Sequence, residues 1–449
     1  MTMQNKPASG LWSKFIPWVK KGGYALADQG LISGSNFVVS ILLARWLTRD
    51  GYGAYAVAFG IFVLLTVLYL SVVLEPMSVF AGTYKDNLRG YLRGLLRMHF
   101  VLCGILSAGL AVWAYVSYRV DPHSALPAAL LGVTIASPLV LVFALVRRAF
   151  YLELTPASAA LGALVYFSVV MGGLFLAYQR GWLSAFSAFL VLGAAALFTS
   201  LVLLRHLWAN LKPGTGRIAF SEICKEHWRY GQWALIANVA SWVPAYLFYP
   251  LLSHFSGLVQ SAQLRALMNL AAPMQQAQTA MALLFLPYAS RMRGEGGDRE
   301  AAKLNRKITA LTVFFALGYW AVMVFFSRTV FSLLYSGKYM EVIGQVPFVA
   351  LGAILWAASF GPTVVLRALQ SPRLVFIAYA VATGLSLIVG IPATHRYGLW
   401  GAILGINVSD LLSLVLMMYL LRRRTREIWN GNTSSEPAGG RLTPELSEP

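Results

Sequence analysis

The chain has 449 residues, is 58% apolar and only 12% charged, and its mean hydropathy is +0.64. That excludes a soluble domain of this size and marks a polytopic helical membrane protein, while a β-barrel is excluded because the apolar runs are continuous and about 20 residues long. The net charge of +19 lies mostly in loops between apolar runs with no nucleic-acid motif beside it, and the two cysteines, Cys103 and Cys224, fit neither a disulfide framework nor a metal site.

The first 23 residues are basic and aromatic and lack the short apolar core and small-residue cleavage site of a signal peptide. Within them, the stretch from Leu11 to Lys21 mixes apolar and basic positions, like a short helix lying in the membrane interface. The first predicted span, 25–47, is long enough to cross the hydrocarbon core, and its polar exceptions are patterned. Gln29, Ser33, Asn36 and Ser40 fall within about 60° of one another on a helix, with Asp28 roughly 80° to one side, near Ser35. Lipid penalises such groups, so the stripe, Asp28 included, is expected to line a watery cavity, with polar helix–helix packing as the plainer alternative. Arg45 and Arg49 close this span before the turn Asp50-Gly51-Tyr52-Gly53.

Spans at 54–76, 98–118, 127–147, 156–178 and 184–205 complete a first half. Those at 230–252, 259–288, 308–327, 343–366, 374–394 and 398–421 make a second. Glu75-Pro76 reads as the end of the second span and Pro287 as the end of the eighth, with Glu75 able to pair with a basic residue of the following loop. Trp46, Tyr118, Trp182 and Trp400 read as interface anchors. With the N-terminus inside, 28 of the 36 lysines and arginines fall on the cytoplasmic side and 7 on the outer side, which predicts twelve spans with both termini cytoplasmic.

The domain plan is an N-terminal segment 1–23, a first lobe 24–205, a linker 206–229, a second lobe 230–424 and a tail 425–449, disordered by its Gly, Ser, Glu and Pro content. A shift of 209 brings Tyr24-Ala25-Leu26 onto Trp233-Ala234-Leu235 and Arg97 onto Arg306, so the lobes read as a parallel repeat. Such a pair commonly holds its substrate between the halves near mid-membrane.

The eighth span repeats the logic of the first. Arg265, Asn269 and Gln276 project within about 40° of one another, and an arginine at that depth costs at least ~2.5 kcal/mol without a partner or water. Three readings stay open: a structural ion pair with Asp28 or Asp410, a hook for an anion, since a guanidinium fork matches phosphate oxygens, or a shallower arginine that reaches solvent. Pro273 is expected to kink the helix beside it. Asn238 and Ser241 form a smaller polar face on the seventh span. Asp410, with Asn407 and Ser413 in the last span, is a candidate site for a coupling proton or cation, as is Asp28, with Glu75 ranked below them. No Walker loop, metal-ligand histidine spacing or Ser/His/Asp arrangement is present, so neither an enzyme nor a cofactor or metal is expected.

The run ILLARWLTRDGYGAYAVAFG after a polar first helix resembles the multidrug/oligosaccharidyl-lipid/polysaccharide flippase superfamily. LEPMSVFAG, FSLLYSGKYMEV, RALQSPRLVFIAYA and HRYGLWGAILG resemble it too, and the whole looks most like the polysaccharide-biosynthesis branch, the flippases of undecaprenyl-linked oligosaccharides. The resemblance implies an all-α fold of two six-helix lobes around a central cavity that opens alternately to each side without ATP hydrolysis. In the related lipid II flippases a cavity arginine on the eighth helix handles the anionic head group, and Arg265 matches that position approximately. The two additional C-terminal helices of some lipid II flippases are absent, which weighs against that branch.

The expected function is translocation of a lipid-linked saccharide across a bacterial inner membrane, coupled to an ion gradient. Arg265 and Arg45 would meet the pyrophosphate, and the amide and hydroxyl stripes the sugars. The expected partners are membrane lipid and the polysaccharide polymerase and glycosyltransferases of the same pathway, with no nucleic acid and a monomeric chain. A drug/cation antiporter of the same superfamily is the alternative, favoured by a cavity of acids and aromatics without an arginine. A polymerase or ligase is disfavoured by the short outer loops.

Overall fold

The computed structural model describes residues 9–153, 155–211 and 218–429. Residues 1–8, part of the expected linker (212–217) and the expected disordered tail from 430 lie outside them. Helix is dictated by the long apolar runs, because a backbone in lipid must satisfy its own hydrogen bonds, and among the described residues there is no strand.

The first lobe runs α1 (Ser9–Trp46), α2 (Arg49–Tyr69), a π-helical turn (Leu70–Leu74), α3 (Glu75–Phe80), α4 (Leu88–Val120), α5 (Leu126–Leu152), α6 (Pro156–Gln179) and α7 (Ala185–Asn210). The second runs α8 (Phe220–Tyr246), α9 (Phe248–Ser256), α10 (Leu258–Asn269), α11 (Ala272–Phe325), α12 (Ser327–Tyr335), α13 (Val346–Ala368), α14 (Pro372–Tyr397) and α15 (Leu399–Trp429). The stretch from Leu11 to Lys21, expected to form a separate interfacial helix, is continuous with the first span in α1.

Ten helices among the described residues are long and apolar enough to cross a membrane, and the pair α8–α9, bent by 40°, adds an eleventh only when the two are taken together as one broken span. The expected eighth span is the exception. Its polar sequence is split between α10 and the first arm of α11, and the chain turns at Leu270 and Ala271, whose amides donate to carbonyls only three residues back. Pro273 follows in the first turn of α11, where its missing N–H costs nothing, so the break falls just before the proline.

Two other prolines do not end their helices as the sequence suggested. Pro76 sits in the first turn of α3 and the chain stays helical to Phe80. Pro287 is inside α11, and the break comes at Gly297, whose φ of 76° joins the two arms. A helix interior tolerates proline where neighbours satisfy the freed carbonyl, whereas a left-handed residue cannot continue a helix.

In the first lobe α5 packs against α2, α4 and α7, and α1 against α6. In the second, α13 packs against α11 and α15, and α14 against α8 and α15. The lobes meet where α2 runs along α8 and α10, and where α1 touches α10 and α12. One face of the molecule, called the gate face below, carries the turns 47–48, 257 and 336–339. The opposite, linker face carries 81–87, 211, 218–219, 297 and 369–371. On the linker side of the seam Tyr84 donates to Glu226 at 2.7 Å, and Tyr91 lies 2.8 Å from His227 Nε2. The Val72 carbonyl, 3.0 Å from Nδ1, must receive a proton there, and in the neutral ring Nε2 then accepts from the Tyr91 hydroxyl.

On the gate side the α2–α10 contact depends on Gly53, where an added Cβ would stand 2.0 Å from the Leu258 carbonyl oxygen. Gly53→Ala therefore forces α10 off α2 and opens the gate-face seam. In a Cys103→Ser, Cys224→Ser background, a cysteine replacing buried Ala54 is expected to react with a thiol reagent several-fold faster once Gly53→Ala is added; equal rates would contradict this role.

Candidate functional site

The site grows from one turn of α10, which presents Arg265 and Asn269, four residues apart, to α1 and α2. Arg265 Nε donates to Ser40 Oγ at 3.2 Å, and the guanidinium carbon lies 4.4 Å from the centre of the Phe59 ring. The phenols of Tyr52, Tyr55, Tyr246 and Tyr249 surround it. No carboxylate pairs with Arg265 among the described residues. The cation is held by aromatic faces and hydroxyls, and a ring face contributes about 0.5–2 kcal/mol to such a contact.

Below the arginine a closed circuit of neutral hydrogen bonds ties three helices. Ser40 Oγ donates to Asn269 Oδ1 at 3.0 Å, and Asn269 Nδ2 donates to the Tyr52 hydroxyl at 3.0 Å. The remaining 3.0 Å contact, Tyr52 to Ser40, must then run from the phenol to the serine oxygen, whose other lone pair takes the Arg265 proton. The second amide proton of Asn269 points to Tyr335 of α12 at 3.5 Å, and Tyr335 donates to the Ala266 carbonyl at 2.8 Å. Ser40 and Asn269 belong to polar faces evident in the sequence. Tyr52, Tyr335 and Phe59 do not, because buried aromatics leave no periodic signal among apolar neighbours.

From this circuit the contacts lead to the gate face. There Lys338 donates to the carbonyls of Arg45 at 2.7 Å and Leu47 at 2.8 Å, capping the end of α1 from the other lobe. Arg45 donates to Ser336. Arg49 pairs with Glu341 at 3.0 Å, and Gln263 donates to the same carboxylate at 3.1 Å. Left-handed Ser336, Gly337 and Tyr339 shape the tight turn that brings Lys338 into place. Burial, and then the nearby Arg49, hold the Lys338 ammonium below the ordinary lysine range.

Toward the linker face the site is open. Gln29 and Asn36 of α1 and Gln276 of α11 are exposed, and Gln29 donates to half-buried Ser33 at 3.3 Å. The break at Leu270 and Ala271 separates Gln276 from the arginine's helix, so the single stripe expected along the eighth span is divided between two helices.

The carboxylates fall elsewhere. Asp28 does not face the stripe and does not pair with Arg265. It is buried inside the first lobe, where it receives two hydrogen bonds from Arg147, at 3.0 and 2.7 Å, and one from Tyr151 at 2.5 Å. Asn238 donates to Ser71 at 3.0 Å and to Glu75 at 3.2 Å, pinning α8 to the π-helical turn, so Glu75 is held by an amide rather than a basic loop residue. Asp410 is half-buried in α15 and makes no ion pair among the described residues, with Arg265 or any other cation. Gly352 leaves it room: a Cβ there would stand 2.2 Å from Asn407 Oδ1 and 3.2 Å from Asp410 Oδ2. Ser413 is buried in the same helix.

Removing one half of a buried pair strands the other, so Asp28→Ala is expected to lower stability by about 3–5 kcal/mol. Exchanging both partners for uncharged residues (Asp28→Asn with Arg147→Gln) is expected to cost less than the single change. Thermal unfolding in detergent checks the order of the two variants.

The sequence matches no family model and no curated protein sequence. Solved structures do match its fold. One is an inward-facing conformation of a multidrug resistance MATE family transporter of the MOP superfamily, at a TM-score of 0.76 and 14% identity over 91% of this chain and 96% of that one. An outward-facing MATE family transporter of the MOP superfamily gives 0.63 and 12% over 92% and 96%. The lipid II flippase MurJ in an inward closed conformation gives 0.69 and 12% over 89% and 87%. The chain thus has the all-α, two-lobed fold of MOP superfamily transporters.

Proposed function

We propose that the chain is a flippase of the polysaccharide-biosynthesis kind, moving a pyrophosphate-linked saccharide lipid across a bacterial inner membrane. The observation that carries this reading is Arg265, a cation between the lobes with aromatic walls and no carboxylate paired with it among the described residues. A buried guanidinium without a counter-ion favours an anion that arrives and leaves, and its planar fork suits phosphate oxygens. The exposed amides Gln29, Asn36 and Gln276 suit sugar hydroxyls, while the polyprenyl tail stays in lipid beside the lobes.

The basic residues of the linker-face loops support a cytoplasmic orientation for that face and both termini, with the gate face outside. Arg45, Arg49 and Lys338 then belong to the outer gate, closed while the site faces the cytoplasm. Asp410 is the carboxylate best suited to bind a coupling proton or cation, because no cation among the described residues pairs with it. A drug or cation antiporter is the second reading, favoured by the tyrosines around Arg265 and by Asp410.

Reporter fusions after Lys303 are expected to score cytoplasmic and those after Asp50 and Lys338 external; the reverse pattern would invert the gate assignment.

Arg265→Ala is expected to abolish flipping of the lipid pyrophosphate in proteoliposomes and Arg265→Lys to keep a part of it. Because no carboxylate is stranded, stability should fall by only about 1 kcal/mol. Full transport by Arg265→Ala would end the anion-hook role. Efflux of a cationic dye that survives Arg265→Ala but not Asp410→Asn would favour the antiporter.

A further inference from the structure

We propose that the linker end of the second lobe holds a separate binding site for the phosphate of an anionic membrane lipid. The site lies outside the transport path, and it rests on the transport reading only for placing this face at the cytoplasmic leaflet.

Where α13 ends, Gln370 takes a left-handed conformation (φ 54°) and the chain turns through Ser371 into α14. Between that turn and the last turns of α15 lies a cavity of about 420 Å³, lined among others by Ser371, Arg373, Leu420, Arg423, Arg424 and Glu427. Three guanidiniums and one carboxylate line it. Glu427 lies 3.3 Å from Arg423 and 3.4 Å from Arg424, so it is divided between two cations, and Arg373 has no ion pair among the described residues. The Nε of Arg424 is buried without any hydrogen-bond partner, a donor whose desolvation nothing in the described residues offsets. No acceptor among the described residues is bonded to it, and a phosphate oxygen is an acceptor suited to a guanidinium.

The surface above the cavity says which phosphate. One turn further along α14 from Arg373 stands Ile377, and one turn back along α15 from Arg423 stands Tyr419, followed a turn later by Val415; all three are exposed. Leu374 and Leu420 form an apolar edge that joins the second lobe's own core. Cationic heads at the interface with apolar strips rising from them fit a headgroup and its acyl chains together, where a free phosphate ion would use only the heads. None of these residues lies on α1, α2, α8 or α10, the helices around Arg265.

The test is native mass spectrometry of the detergent-solubilised full chain with phosphatidylglycerol, phosphatidylethanolamine and inorganic phosphate as probes. Detergent removes the surface potential of a bilayer, so generic attraction to basic loops is suppressed. One tightly held phosphatidylglycerol per chain is expected, preferred over phosphatidylethanolamine. Arg373→Ala with Arg424→Ala should weaken it roughly tenfold or more, because each arginine supplies a charge-assisted hydrogen bond to the phosphate. Arg422→Ala with Arg426→Ala removes the same charge from α15 outside the cavity and should change it little. Arg373→Ala alone, an exposed change that leaves packing intact, should give an intermediate loss. Unchanged retention in the pocket variants, or equal losses in pocket and control variants, would overturn the site. Displacement of the lipid by inorganic phosphate at comparable concentration would overturn the assignment to a lipid. Binding is read without transport, so its failure leaves the flippase reading standing, and an inactive transporter that still retains lipid leaves this one standing.

Discussion

The structure depends on how a guanidinium is kept in the middle of a membrane protein with no carboxylate among the described residues paired to it. Arg265 is held by the face of Phe59, by neighbouring phenols and by one serine oxygen. A carboxylate partner would bind it more strongly but would also satisfy it. Aromatic faces and hydroxyls offset part of the desolvation and leave charge uncompensated, which is the condition an anion-binding site needs. The circuit of Ser40, Tyr52 and Asn269 fixes the serine oxygen that orients the arginine, and through Tyr335 it reaches α12, which leads into the gate turn.

The break in the eighth span belongs to the same arrangement. A continuous helix carrying Arg265, Asn269, Gln276 and Gln278 would have to place every polar group along one line. Divided at Leu270 and Ala271, the segment gives α10 to the packed gate half and the first arm of α11 to the open linker half. Gln276 is exposed there, while Gln278 is buried with both amide atoms unpartnered. The polar content that makes α10 too short and too polar to read as a span on its own is what ties it to α1 and α2.

The sequence made the architecture legible because lipid imposes a strong rule: each long apolar run becomes a helix, and loop charges alternate with it. The positions of Arg265, Asn269 and Ser40 on facing helices also followed from helical periodicity. The partners did not. Asp28 and Arg147 are 119 residues apart, and although periodicity sets Asp28 to one side of the polar stripe, nothing in either helix's pattern signals that it meets Arg147 of α5. Proline misled at Pro76 and Pro287 because neighbouring helices can satisfy the carbonyl a proline frees, and sequence carries no record of the neighbour. Gly297 ended a helix where the prolines did not, since its left-handed φ is a property of the backbone alone.

The pairing of Asp28 with Arg147 has a consequence for the energetics of motion. That pair is internal to one lobe, so its desolvated charges travel together when the lobe rotates. What crosses between the lobes is of another kind: the Trp242 indole to the Gly60 carbonyl, Asn238 to Ser71, Ser40 to Asn269, and the exposed pair of Arg49 and Glu341. Water can take over each of these as the surfaces part, so little of the activation barrier is spent on separating opposite charges in a low dielectric. A lobe boundary made of replaceable contacts keeps the two orientations close in free energy, and a small bias from ligand or ion is then enough to decide between them.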